Sequence, residues 1–126
     1  MKFATLALTA ALTLLAPLAQ ALESKPYSAE ALSAAQTAGK PVALHFHADW
    51  CPTCRAQTKS FETLRAEKDL DVTILVVNYD TEVALKRALN VRGQSTLIVY
   101  KGKAETARLA GETGTNALRT ALKSAL

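Results

Sequence analysis

The stretch Val72 to Asn78 reads Val-Thr-Ile-Leu-Val-Val-Asn, a nearly unbroken β-branched and aliphatic run. A strand of that composition offers no polar face to water, so it belongs inside a sheet that is covered on both sides. The rest of the chain supplies the cover. Ser28 is an N-cap with Glu30 in the first turn and Gly39 as the stop, which predicts a helix over 29–38. Pro52 opens a longer helix to about Lys68, with Cys54, Phe61 and Leu64 on its inner face and Arg55, Lys59, Glu62 and Arg65 toward solvent. Thr81 caps a short helix to Leu89, and Thr115 or Asn116 caps a last one with Leu118, Leu122 and Leu126 in a stripe. Further strands are predicted over Val42–His47, Thr96–Tyr100 and Glu105–Leu109, the last two joined by Lys101-Gly102-Lys103 as a hairpin. Helix-separated strands pair in parallel and the hairpin adds an antiparallel edge. The expected fold is α/β: a central mixed sheet of about four strands with helices on both faces.

This reading concerns residues 22–126. Residues 1–21 have a different character: Met1-Lys2, then an uncharged Leu/Ala-rich run from Phe3 to Ala19, then Ala19-Gln20-Ala21. A positive start, an apolar stretch and a small-x-small site make a secretory signal peptide, cut after Ala21. The run is marginal in length for a spanning helix. The domain division is therefore 1–21 signal peptide and 22–126 one globular domain, and the expected location is periplasmic. The 126-residue chain carries 15 Lys+Arg against 11 Asp+Glu, a net +4. Those cations are scattered with no basic stripe, which argues against a nucleic-acid partner. Two cysteines are too few for a disulfide-dense scaffold or a four-thiolate metal centre.

Those two cysteines are Cys51 and Cys54, where the strand ending at His47 gives way to the long helix. The first turn of a helix has unpartnered amide groups and the positive end of the helix dipole, and both stabilise an anion. Cys51 is then the acidic, attacking sulfur. Cys54, one turn further in, is the more shielded resolving sulfur. Two other readings stay open at this point. A staple across so short a loop contributes little stability. A metal site would need two more ligands, which His45 and His47 could supply from the strand just upstream.

The run Ala48-Asp49-Trp50-Cys51-Pro52-Thr53-Cys54, after an apolar strand and before a long helix, resembles the thioredoxin family. Asn90-Val91-Arg92-Gly93 ahead of Thr96–Tyr100, Lys101-Gly102-Lys103, and Leu109-Ala110-Gly111 resemble the family's second half. The Lys40-Pro41-Val42 entry is also similar to the C-terminal domain of the membrane thiol:disulfide interchange protein. The resemblance implies a thioredoxin-like fold and a redox-active Cys51–Cys54 pair that needs no cofactor. It also implies protein thiol and disulfide substrates, a membrane-bound electron donor, and a substrate groove beside Trp50, Ser95 and Thr96; we expect a monomer.

Three positions depart from the family pattern. Ser95 stands where the family has a cis-proline, and a non-proline cis bond costs about 3 kcal/mol, so a trans Gln94–Ser95 bond is expected. His45 stands where the family often has a buried acid; a neutral imidazole there can accept the proton of Cys54. Pro52-Thr53 replaces the usual Gly-Pro between the cysteines. The function expected is that of an exported thiol–disulfide oxidoreductase, a reductase or interchange enzyme. The alternative is a periplasmic protein that binds or delivers a soft metal through the cysteine pair and a histidine.

Overall fold

The computed structural model describes residues 21–126, so the signal-peptide expectation for 1–21 falls, but for Ala21, outside the described residues. The chain order is β1 (Glu23–Pro26), α1 (Ala29–Thr37), β2 (Pro41–His47), α2 (Pro52–Leu64), β3 (Thr73–Asn78), α3 (Val83–Ala88), β4 (Thr96–Lys101), β5 (Ala104–Ala110) and α4 (Thr115–Lys123). The strands form one sheet in the order β1-β3-β2-β4-β5. β3 lies parallel to both β1 and β2, while β4 runs antiparallel to β2 and to β5.

A core fills each side of the sheet. On one side Phe61 and Leu64 of α2 and Leu118, Ala121 and Leu122 of α4 pack on Ala43, Ile74, Leu97 and Val99. On the other, Val42, Leu44 and Phe46 of β2 join Leu75, Val77, Ile98 and Tyr100, with Ala31, Leu32 and Ala35 of α1 and Leu85 of α3 against them. Ile74, Leu75 and Val77 of β3 are thus covered from both directions, as their composition requires.

Four expectations are corrected. The sheet has five strands rather than about four, because Glu23–Pro26 joins β3 as an edge: Glu23 N–H donates to Val72 O at 3.2 Å and Tyr27 N–H to Val76 O at 2.9 Å. α2 stops at Leu64 rather than near Lys68, and Leu70 folds back as a fully buried residue of the first core. α3 is not capped by Thr81: the Asn78 side chain accepts from the amides of Asp80 and Thr81, so the helix starts later, at Val83. On α4 the inward stripe is Leu118, Ala121 and Leu122, and Leu126 lies half exposed beyond the helix end.

The topology decides what meets at one end of the sheet. β2 runs next to β3 and leads straight into α2, and the loop entering β4 arrives beside the end of β2, where Phe46 pairs with Thr96. The head of α2 and residue 95 are therefore brought together from 44 positions apart in sequence.

Candidate active site

Cys51 is the N-cap of α2 in extended conformation, with Pro52 inside the first turn, where its missing N–H is not needed. Its Sγ accepts the Cys54 N–H at 3.1 Å, the capping role that an oxygen usually fills. Cys54 Sγ lies 3.8 Å from the Phe46 carbonyl. Both sulfurs are free thiols and both are buried. Between them lies the hydroxyl of Ser95, 3.3 Å from Cys51 Sγ and 3.1 Å from Cys54 Sγ.

The two thiols are pushed apart in acidity. Burial raises Cys51, but hydrogen bonds from Cys54 and Ser95 and from the amides of Cys54 and Thr53 outweigh it and hold Cys51 below the ordinary thiol value. Cys54 is raised, first by burial and then by its hydrogen bond to Cys51. Cys51 is thus the more acidic of the two sulfurs and Cys54 the less acidic.

Ser95 owes its position to a backbone conformation that few residues adopt. Its φ is +63°, and all peptide bonds among the described residues are trans. A left-handed residue other than glycine costs about 1–2 kcal/mol. Three hydrogen bonds hold it there: Ser95 N–H donates to Phe46 O at 2.9 Å, and its carbonyl accepts from Gly111 N–H at 3.0 Å and from Gln57 Nε2 at 2.9 Å. Proline, locked near φ −65°, cannot take this conformation. The departure at position 95 therefore changes the backbone as well as the side chain.

Gln57 is a residue that sequence reasoning passed over. It is fully buried on α2, and its Nε2 also donates to the Glu112 carbonyl at 2.8 Å. Two carbonyl acceptors fix the orientation of the amide, so its Oε1 faces His45 Nε2 at 2.8 Å and accepts the proton there. The spacing Cys54-Gln57-Phe61-Leu64 is the inner stripe of a helix, and that was the signal for Gln57's burial.

His45 is buried against Phe61 and beside His47, their ring centroids 5.1 and 5.3 Å away. Burial drives its pKa down to about 4, against a partial lift from Gln57 and a further push down from His47. Among the described residues no hydrogen bond joins His45 to either sulfur; its link to the pair runs through Gln57 and the backbone of Ser95. His47 turns outward to Asp49 Oδ1 at 3.0 Å. Trp50 is exposed, with its indole N–H on Asp80 at 2.9 Å, and Thr96 is buried with its hydroxyl on the Gly93 carbonyl at 2.8 Å. Among the described residues no three of His, Cys, Asp and Glu gather in a way that could hold a metal ion. His45 Nε2 meets Gln57 and His47 Nε2 meets Asp49, while His47 Nδ1 is buried without a hydrogen-bond partner, and nothing in the site supports the metal alternative.

Comparison with known proteins gives a consistent result. The family model described as Thioredoxin matches residues 22–124. The chain is 35% identical over 86 residues to the thiol:disulfide interchange protein DsbD of Salmonella paratyphi A, an alignment over 64% of this chain and 15% of that protein. It is 33% identical over 89 residues to a thioredoxin of Mycolicibacterium smegmatis, covering 69% of this chain and 80% of that one. Among solved structures, Trxlp from Edwardsiella tarda superposes with a TM-score of 0.72 at 39% identity, over 80% of this chain and 97% of that one. The aligned part of this chain thus spans only about a seventh of the DsbD relative.

Proposed function

Since this chain belongs to the thioredoxin family, we propose that it is a thiol–disulfide oxidoreductase that works outside the cytoplasm, as a reductase or interchange enzyme for protein disulfides. Its Cys51 attacks and its Cys54 resolves. The observation that carries the assignment is the split environment of the pair: Cys51 Sγ accepts an amide of the opening turn of α2, while Cys54 is raised by burial.

The electrons and protons follow from that split. The Cys51 thiolate attacks one sulfur of a substrate disulfide; that S–S bond breaks, and the other substrate sulfur leaves as a thiolate and takes a proton from water. Cys54 then loses its proton and attacks Cys51 Sγ, and the second substrate sulfur departs as a thiol. The dithiol has given up two electrons and become a disulfide. His45 takes part through Gln57, as a neutral group that holds the amide in place.

The leader-like pattern of the first 21 residues supports export. In an oxidising compartment a spent reductase has to be recharged, and the likeness to proteins named thiol:disulfide interchange protein supports a membrane-bound electron donor for that step. The test is covalent trapping. Cys54→Ser, mixed with disulfide-bonded protein substrate, is expected to accumulate a mixed disulfide through Cys51, and Cys51→Ser is expected to trap none. Equal trapping by both variants, or trapping by Cys51→Ser alone, overturns the assignment of roles.

A further inference from the structure

We propose that the Ser95 hydroxyl is a catalytic group of this site: it donates its one proton to the Cys51 thiolate, accepts the proton of the Cys54 thiol, and thereby favours the dithiol over the disulfide. The inference rests on the exchange function above and specifies how that site is poised.

The one proton of the Cys54 thiol can reach the Ser95 hydroxyl at 3.1 Å, the Phe46 carbonyl at 3.8 Å or Cys51 Sγ, and the hydroxyl, the shorter of the two measured contacts, takes it. A hydroxyl has a single hydrogen to donate and two lone pairs to accept with. Its distances of 3.3 and 3.1 Å put it in contact with both sulfurs at once. The charged sulfur is the stronger acceptor, so the O–H points to Cys51, and the sulfur that keeps its proton, Cys54, donates to Ser95 Oγ. The chain S–H···O–H···S⁻ uses every group once. With the amides of Cys54 and Thr53, the hydroxyl supplies the Cys51 thiolate with donors in a buried place, where an unpaired charge is costly. The titratable groups facing the pair are each other and Tyr79, which packs on the pair's cluster from the end of β3; His45 is one contact removed, behind Gln57.

The hydroxyl does not reach this position by a free rotation of a surface side chain. Ser95 is 2% exposed, its φ is held at +63° by three hydrogen bonds to its own backbone groups, and two of those reach the Phe46 carbonyl on β2 and the Gln57 side chain on α2. Strain kept at one residue by its surroundings is a mark of a functional position. Oxidation removes what the hydroxyl binds: a disulfide has no negative sulfur to receive the O–H and no S–H to donate. Both bonds therefore count toward the reduced state alone, and the protein should be a weaker reductant, and a better oxidant, than the same site without them.

Two variants test this. Ser95→Ala deletes the hydroxyl. Ser95→Gly deletes it too and takes φ +63° without strain, so a folding defect in the first does not silence the test. Each is equilibrated in glutathione/glutathione disulfide buffers and scored for free thiols, with cooperative melting as the check on fold. Hydrogen bonds to a charged group are of a size that predicts about a tenfold shift toward the disulfide, roughly 30 mV more negative, in both variants. The pH at which Cys51 reaches half its maximal alkylation rate should rise, the proton concentration at that midpoint falling about tenfold. A glycine variant with wild-type equilibrium and pH profile overturns the proposal while leaving the exchange function intact. Wild-type protein that fails to exchange with glutathione disulfide overturns the function, and this proposal with it.

Discussion

A buried imidazole is tolerated only while neutral, and His45 shows what that costs as pH falls. Its pKa is near 4 in the folded chain against about 6.5 when unfolded. Between those values the unfolded chain binds a proton that the folded chain refuses. Stability from this residue is complete above pH 6.5 and drains away as pH drops toward 4, by roughly 3 kcal/mol in all. Carboxylates such as Glu67 and Glu105, held down by hydrogen bonds from Arg119 and Arg108, add an acid-side slope of their own. The informative quantity is therefore the difference from His45→Gln, which cannot titrate. Urea unfolding at pH 7.5 and 4.5 is expected to show a clearly smaller acid loss in the variant. An identical loss in both proteins means that His45 does not titrate in this window.

At the scale of the elements, α2 is pinned by a side chain. Gln57 ties the helix to the loop entering β4, to the segment before α4 and to His45 on β2. In Gln57→Leu the shape is kept, but His45 Nε2 and the Glu112 carbonyl lose their partners, a cost of about 2–4 kcal/mol. For a domain of this size the melting temperature should fall by roughly 10 °C or more, whereas exposed Glu62→Gln should leave it almost unchanged. A fall of only a degree or two for Gln57→Leu contradicts the pinning role. The same residue shows why part of the site was hard to read in sequence. A glutamine on a helix reads as surface unless its spacing from Cys54, Phe61 and Leu64 is given more weight than its polarity. β1 was missed for the opposite reason: Glu-Ser-Lys-Pro carries no β pattern, and it becomes a strand because β3 offers it an open edge. Backbone pairing made that element, and pairing leaves no trace in composition.

For the whole molecule, the apolar run of β3, the alternation of helices with strands and the closing hairpin already specified a covered, mixed sheet. The strand–cysteine–helix junction specified where its chemistry lies. The long-range closure was not legible: Ser95 reaches Cys51 only because β4 returns beside β2, and its left-handed backbone depends on Phe46, Gln57 and Gly111 together. No local stretch encodes such a contact. The fold thus serves to surround one sulfur with donors and to bury its neighbour. Peptide-resolved alkylation of the fully reduced protein by iodoacetamide, from pH 4 to 10, tests that claim most directly. Cys51 should reach half its maximal rate below the pH of about 8.5 typical of free cysteine, and Cys54 above it. Two sulfurs that both titrate like free cysteine, or Cys54 reacting at the lower pH, would contradict it.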